Sequence, residues 1–278
     1  MTNHGSVTST DGTTIGYDVT GSGPVLVAVH GGTADRTRWR VVRPLLEREH
    51  EVWAVDRRGR GLSGDRVDYA ITREAEDLVA VVAAAGDGCV LLAHSYGATV
   101  ALAAMAGLAR LPGLVGVVLY EPALETPGHP IVDDATFEEM QRLVGAERRD
   151  DALELFLRAV IGLPDAAIEA LRATPDWAAR AAAVHTLVRE GYAARGLACP
   201  PHSLAGLPFP VLVLRGTESP AWLRSAAEAA RAAVPESRLV ELDGQAHMAM
   251  DTAPEAFARV VLDFADRCSS ALASAQGR

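Results

Sequence analysis

The 278-residue sequence contains no lysine, so all 26 of its fixed side-chain cations are arginines. That absence removes Schiff-base chemistry and a phosphate-cradling P-loop lysine from consideration. The arginines stand against 36 Asp and Glu, a formal net charge of −10, which argues against the basic stripes of a nucleic-acid binder. Cysteine is scarce too. Cys89, Cys199 and Cys268 are odd in number and widely spaced, and they match neither a zinc pattern nor a disulfide framework. No apolar run approaches the length of a membrane span, and the polar start Met1–Thr10 lacks a signal peptide's apolar core. These absences predict a protein of the reducing cytoplasm, without membrane or nucleic-acid partners, that acts on a small molecule.

What is present is ordinary for a globular chain: 49% hydrophobic and 22% charged residues, in a length that buries a core without disulfides. Short apolar runs alternate with helical patterns. The runs are Val25–Val29, Val52–Val55, Cys89–Ala93, Leu114–Tyr120, Val211–Leu214 and Leu239–Leu242. Continuous rather than alternating apolarity predicts strands buried on both faces, as in a parallel sheet. Thr13–Thr20 alternates more and reads as an antiparallel edge strand. Ala75, Leu78, Val79 and Val82 repeat at helical spacing, as do Phe257, Val260, Val261 and Phe264 in a last helix, where Thr252 and Glu255 suggest a capping box. The expected fold class is α/β: a mostly parallel sheet flanked by helices. Residues 123–205 carry helical patterns and no convincing strand. They predict a helical insertion, or cap, between core segments 1–122 and 206–278.

Two local motifs carry chemistry. Ala93-His94-Ser95-Tyr96-Gly97 lies between an apolar run and an apolar helix. A nucleophile elbow needs a strained serine there, flanked by small residues two positions away on each side, and Ala93 and Gly97 meet that need. The turn sets Ser95 at a helix N-terminus, where backbone N–H groups stabilise an oxyanion. His30-Gly31-Gly32 follows the Val25–Val29 run. The N–H groups of Gly32 and Tyr96 are the expected oxyanion hole.

With Trp39, the Asp56-Arg57-Arg58-Gly59-Arg60-Gly61-Leu62-Ser63 stretch, and Gly244-Gln245-Ala246-His247 near the end, these motifs resemble the α/β-hydrolase superfamily over nearly the whole chain. The resemblance implies that Asp56–Ser63 is a structural turn and that His247 is the catalytic base, while His30 and His94 are packed structural residues. The acid is open between two glutamates. The family's common position, after the seventh strand, holds Ser219 here, with Glu218 one residue early. Some relatives instead place a carboxylate after the sixth strand, and Leu114–Tyr120 runs straight into Glu121. A glutamate ending an apolar strand is costly to bury without a partner, and an imidazolium supplies one. Glu121 is therefore the preferred acid and Glu218 the alternative.

Trp39, Tyr96, Trp177, His185 and Met248 are candidate pocket residues, and Arg57, Arg58 and Arg60 are expected to pair with neighbouring acids. The chemistry implied is hydrolysis of a carboxylic ester, lactone or thioester of a small or medium apolar substrate. Ser95 attacks, His247 shuttles the proton, and neither metal nor cofactor takes part. Two alternatives remain: a lyase, cyclase or carbon–carbon-bond-acting member that relies on His247, and a ligand-binding member without turnover.

Overall fold

The computed structural model describes residues 2–276, with side chains through residue 271. Eight strands form one sheet: β1 (Asn3–Thr8), β2 (Thr14–Gly21), β3 (Val25–Val29), β4 (Glu51–Val55), β5 (Cys89–His94), β6 (Leu114–Tyr120), β7 (Val211–Gly216) and β8 (Arg238–Leu242). Their order is β1-β2-β4-β3-β5-β6-β7-β8. β2 pairs antiparallel with β1 and β4, and every pairing from β4 to β8 is parallel.

The apolar runs form strands because both faces of the sheet are covered. Val27, Val29, Leu91, Ala93, Val117 and Leu119 pack on one face, together with the helices Ile71–Ala85 and Tyr96–Leu108. Leu26, Ala28, Val90, Leu92, Val118 and Tyr120 point to the other, where Phe257, Val261 and Phe264 of the last helix cover them. Successive residues of one strand thus serve opposite cores, which removes the polar alternation of a half-exposed sheet.

Two expectations change. The segment beginning near Thr13 is a strand but not an edge. β1 lies outside it, and β1 escapes sequence detection because its residues are exposed or half-buried with no apolar run. Thr252 caps no helix with Glu255; it ends a short helix, Ala249–Thr252, and its hydroxyl donates to Gln245 Oε1 at 2.7 Å. The last helix runs from Pro254 to Gln276.

Between β6 and β7 lie the helices Asp134–Gly145, Arg149–Phe156, Asp165–Arg172, Asp176–Ala183 and Leu187–Gly196. A π-helical turn, Leu157–Ile161, ends at Gly162 in the left-handed region, where glycine avoids the Cβ strain.

A buried ion network ties this helical segment to the sheet. Arg57 donates to Glu74 at 2.8 Å and to Glu190 at 2.7 Å, and Arg60 also pairs with Glu190. Arg58 pairs with Asp77 at 2.6 Å and Asp11 at 3.1 Å. The Asp56–Ser63 loop folds on itself. Asp56 accepts from the backbone N–H of Leu62 at 2.7 Å, and Ser63 Oγ donates to the Asp56 carbonyl at 2.6 Å.

Candidate active site

The parallel order brings the C-terminal ends of β3, β5, β6, β7 and β8 together, the edge where such sheets carry their sites. β5 ends in Ser95, which has φ 55° and ψ −125° and is the residue before the Tyr96–Leu108 helix. A non-glycine residue in that region is strained by about 1–3 kcal/mol and persists only where its surroundings enforce it. Here the Ser95 N–H donates to the Tyr120 carbonyl at 2.9 Å, continuing the β5–β6 ladder past the strand end. A Cβ at Gly97 would lie 2.5 Å from the His30 carbonyl, and one at Gly31 would lie 2.7 Å from Ser95 Cβ. Both glycines are there because the chains approach so closely.

β6 ends the same way. Glu121 has φ 46°, and its N–H donates to the Leu214 carbonyl at 3.0 Å. Its side chain is fully buried. Oε2 accepts from His247 Nδ1 at 2.6 Å, Oε1 accepts from the Gly216 N–H at 2.7 Å, and Ser219 Oγ donates to Oε1 as well. The carboxylate therefore has three donors, which offset the cost of its burial. A carboxylate only accepts, so His247 carries its proton on Nδ1 and leaves Nε2 as an acceptor.

His247 stands five residues beyond β8 and is buried. Two side chains hold its loop. His94 Nε2 donates to the His247 carbonyl at 3.0 Å, with ring centroids 4.5 Å apart. The Tyr120 hydroxyl donates to the Ala246 carbonyl and accepts from the Ala249 N–H at 3.2 Å. Burial, reinforced by His247 and Arg38, holds the His94 pKa well below the ordinary 6.5. Burial likewise depresses His30, with Arg60 and Arg57 adding to the effect. His30 Nδ1 donates to the Gly31 carbonyl at 2.8 Å, and Nε2 accepts from the Arg57 N–H at 3.2 Å. Both rings are neutral structural groups.

Glu218 and Asp243 are exposed. The loop position where the family resemblance implies an acid is occupied by buried Ser219, which turns its hydroxyl onto Glu121. Of the two rival glutamates, the fold thus brings Glu121 to His247 and leaves Glu218 at the surface.

Two chambers meet at Ser95, with Gly32, Phe156 and Ile161 on the wall of both. The larger, about 600 Å³ when its opening to solvent is included, is bordered by Tyr96, Phe137, Met140, Val160 and Trp222, with Glu190 and Arg195 as its charged residues. The smaller, about 430 Å³ on the same measure, is bordered by His94, His247, Met248, Arg38 and Arg180. Gly32, Tyr96 and Met248 border these chambers.

Three pocket candidates do not. Trp39 is fully buried in the core on the opposite face of the sheet, edge-on to His94 at 6.4 Å. Trp177 packs among the segment's own helices, donating to Asp150 at 2.7 Å under the Arg172 guanidinium. His185 is exposed and bonds the Ala182 carbonyl at 2.9 Å. Sequence reasoning missed Phe137, Phe156, Trp222 and Arg180. Their helical positions carry no signal that distinguishes a cavity wall from a core contact or a solvated face.

The model of the alpha/beta hydrolase family matches residues 26–260. A structure of an alpha/beta hydrolase from Sphaerobacter thermophilus superposes with a TM-score of 0.80 at 34% identity, covering 94% of this chain and 99% of that one. The esterase RhEst1 from Rhodococcus sp. ECU1013 superposes with a TM-score of 0.73 at 27% identity, covering 95% and 98%. N-formylmaleamate deformylase of Pseudomonas putida is 40% identical over 111 residues, a match spanning 39% of this chain and 41% of that protein. The extent of the family match, on a sheet that brings a strained serine and a buried histidine to the wall of one chamber, establishes that the chain belongs to the alpha/beta hydrolase family.

Proposed function

We propose that the protein is a serine hydrolase that cleaves a carboxylic ester, lactone or thioester through an acyl-enzyme. The observation that carries this reading is the bond from His247 Nδ1 to Glu121 Oε2, with His247 and Ser95 on the wall of one chamber. The carboxylate fixes the tautomer whose Nε2 can take the Ser95 proton. Ser95 attacks the carbonyl carbon, and the Gly32 and Tyr96 N–H groups stabilise the oxyanion. His247 then gives its proton to the leaving group, and water enters by the same route in reverse. The segment 123–205 acts as a cap over the core formed by 1–122 and 206–278, excluding bulk water from the chambers.

The esterase neighbour supports ester chemistry, and the deformylase relative extends the reading to an N-acyl bond, which the same steps would cleave. The test is steady-state hydrolysis of 4-nitrophenyl acetate by the wild type and Ser95→Ala. Loss of turnover in the variant supports the acyl-enzyme route. Retention of most activity would point instead to chemistry that relies on His247 alone.

A further inference from the structure

Arg180 lies on the Asp176–Ala183 helix, far in sequence from the motifs, and its side chain borders the His247 chamber. It is 8% exposed, and among the described residues no hydrogen bond or ion pair engages its guanidinium. Every other buried arginine has a carboxylate partner: Arg38 pairs with Asp251, Arg57 with Glu74 and Glu190, Arg58 with Asp77, and Arg60 with Glu190. The carboxylates in range of Arg180 are committed elsewhere. Asp251 is held by Arg38, Asp176 by Arg40 at 2.7 Å, and Asp35 accepts from Thr37. Burial, with Arg38 beside it, brings the Arg180 pKa down to about 10, so the guanidinium remains charged at neutral pH. A buried, unpaired cation is costly, and it is retained at a cavity wall where a ligand can supply the missing charge.

We propose that Arg180 anchors a carboxylate on the leaving half of the substrate. Two further observations fix the half and the charge. The leaving group must reach His247 to be protonated, so it occupies the chamber that His247 and Arg180 share. In that chamber Arg38 is held by Asp251, which leaves Arg180 as the lining cation without an ion-pair partner, a single guanidinium that suits a carboxylate. In the other chamber the charged residues are already paired, Glu190 with Arg57 and Arg60, and Arg195 with Glu125 and Asp134. Arg38 Nε, also without an acceptor, supplies a second donor on the favourable side. The inference rests on the hydrolase reading for its choice of half, but not for the anion site itself.

The experiment compares 3-acetoxybenzoate with 3-acetoxybenzamide, which share an acyl group and differ in charge on the leaving half. For the wild type, kcat/KM should favour the carboxylate by about tenfold or more, the scale of a charge-assisted bond in a closed site. Arg180→Met should bring the ratio close to one, mainly through KM. Arg180→Lys should restore part of it, because the charge returns without the planar fork. Arg180→Gln serves if the methionine variant does not fold. In parallel, 3-hydroxybenzoate should raise the melting temperature of the wild type but not of the Arg180 variants without charge. No wild-type preference, or a preference unchanged in Arg180→Met, overturns the proposal, and so does absence of stabilisation by 3-hydroxybenzoate. Fluorophosphonate labelling separates the two claims. Labelling without carboxylate preference leaves the hydrolase reading standing alone. Arginine-dependent stabilisation by 3-hydroxybenzoate without labelling leaves the anion site standing alone.

Discussion

Ser219 donates its hydroxyl to Glu121, so the residue standing where the family resemblance implies an acid supports a carboxylate that comes from the neighbouring strand. The arrangement works because β6 and β7 are adjacent and parallel, which sets the β7 turn against the end of β6. One oxygen of Glu121 is held by the β7 turn, and the other is turned to His247.

Glu121→Gln removes the charge that fixes the His247 tautomer. We expect kcat for an activated ester to fall by about 10³–10⁴, as for the corresponding change in other serine–histidine–acid sites. Glu218→Gln, at an exposed loop carboxylate, should change kcat less than about twofold. Steady-state kinetics of the two variants checks both statements.

Ser219→Ala leaves Glu121 Oε1 with the Gly216 N–H but one donor short. A lost hydrogen bond to a buried charge should cost about 1.5–3 kcal/mol of stability, read by denaturant unfolding. Ser219→Asp should be worse, because it sets a second carboxylate against Glu121 with no added cation. Adding Glu121→Ser to that variant should recover stability, and should recover activity only if the new aspartate reaches His247.

The strands were legible in the sequence because the sheet is covered on both faces, which leaves unbroken apolar runs such as Leu114–Tyr120. β1 was not, since an outer strand with exposed residues has no such run. Ser95 was legible because a strained elbow constrains residue size, and His247 because the family resemblance implies a histidine in the loop after the last strand. Glu121 was legible only as a candidate, a polar end to an apolar strand. The choice over Glu218 needed the sheet order, which no local pattern encodes. Arg180 had no signal at all: in an alanine-rich helix an arginine reads as a solvated face, and only packing against the core buries it.

Arg57→Met should destabilise the fold by about 3–5 kcal/mol, because Glu74 and Glu190 then stay buried without their shared cation. Combining it with Glu190→Gln should recover part of that loss. A double-mutant cycle from denaturant unfolding reads the coupling.

His30 and His94 make the fold acid-sensitive. Each folded pKa lies well below the unfolded value near 6.5, so below that pH the unfolded chain binds more protons. Their stabilising contribution is whole above about pH 6.5 and falls as pH drops, by at most about 1.4 kcal/mol per pH unit for each histidine. Denaturant unfolding at pH 7.5 and 5.5 should show the loss, and His94→Asn should show a shallower one.

The central claim is that Ser95 is a nucleophile. Intact-mass spectrometry after incubation with a fluorophosphonate measures this directly. The wild type should gain one adduct, mapped to Ser95 by peptide analysis, and Ser95→Ala should gain none. A folded wild type that remains unmodified, or an adduct that persists in Ser95→Ala, would contradict it.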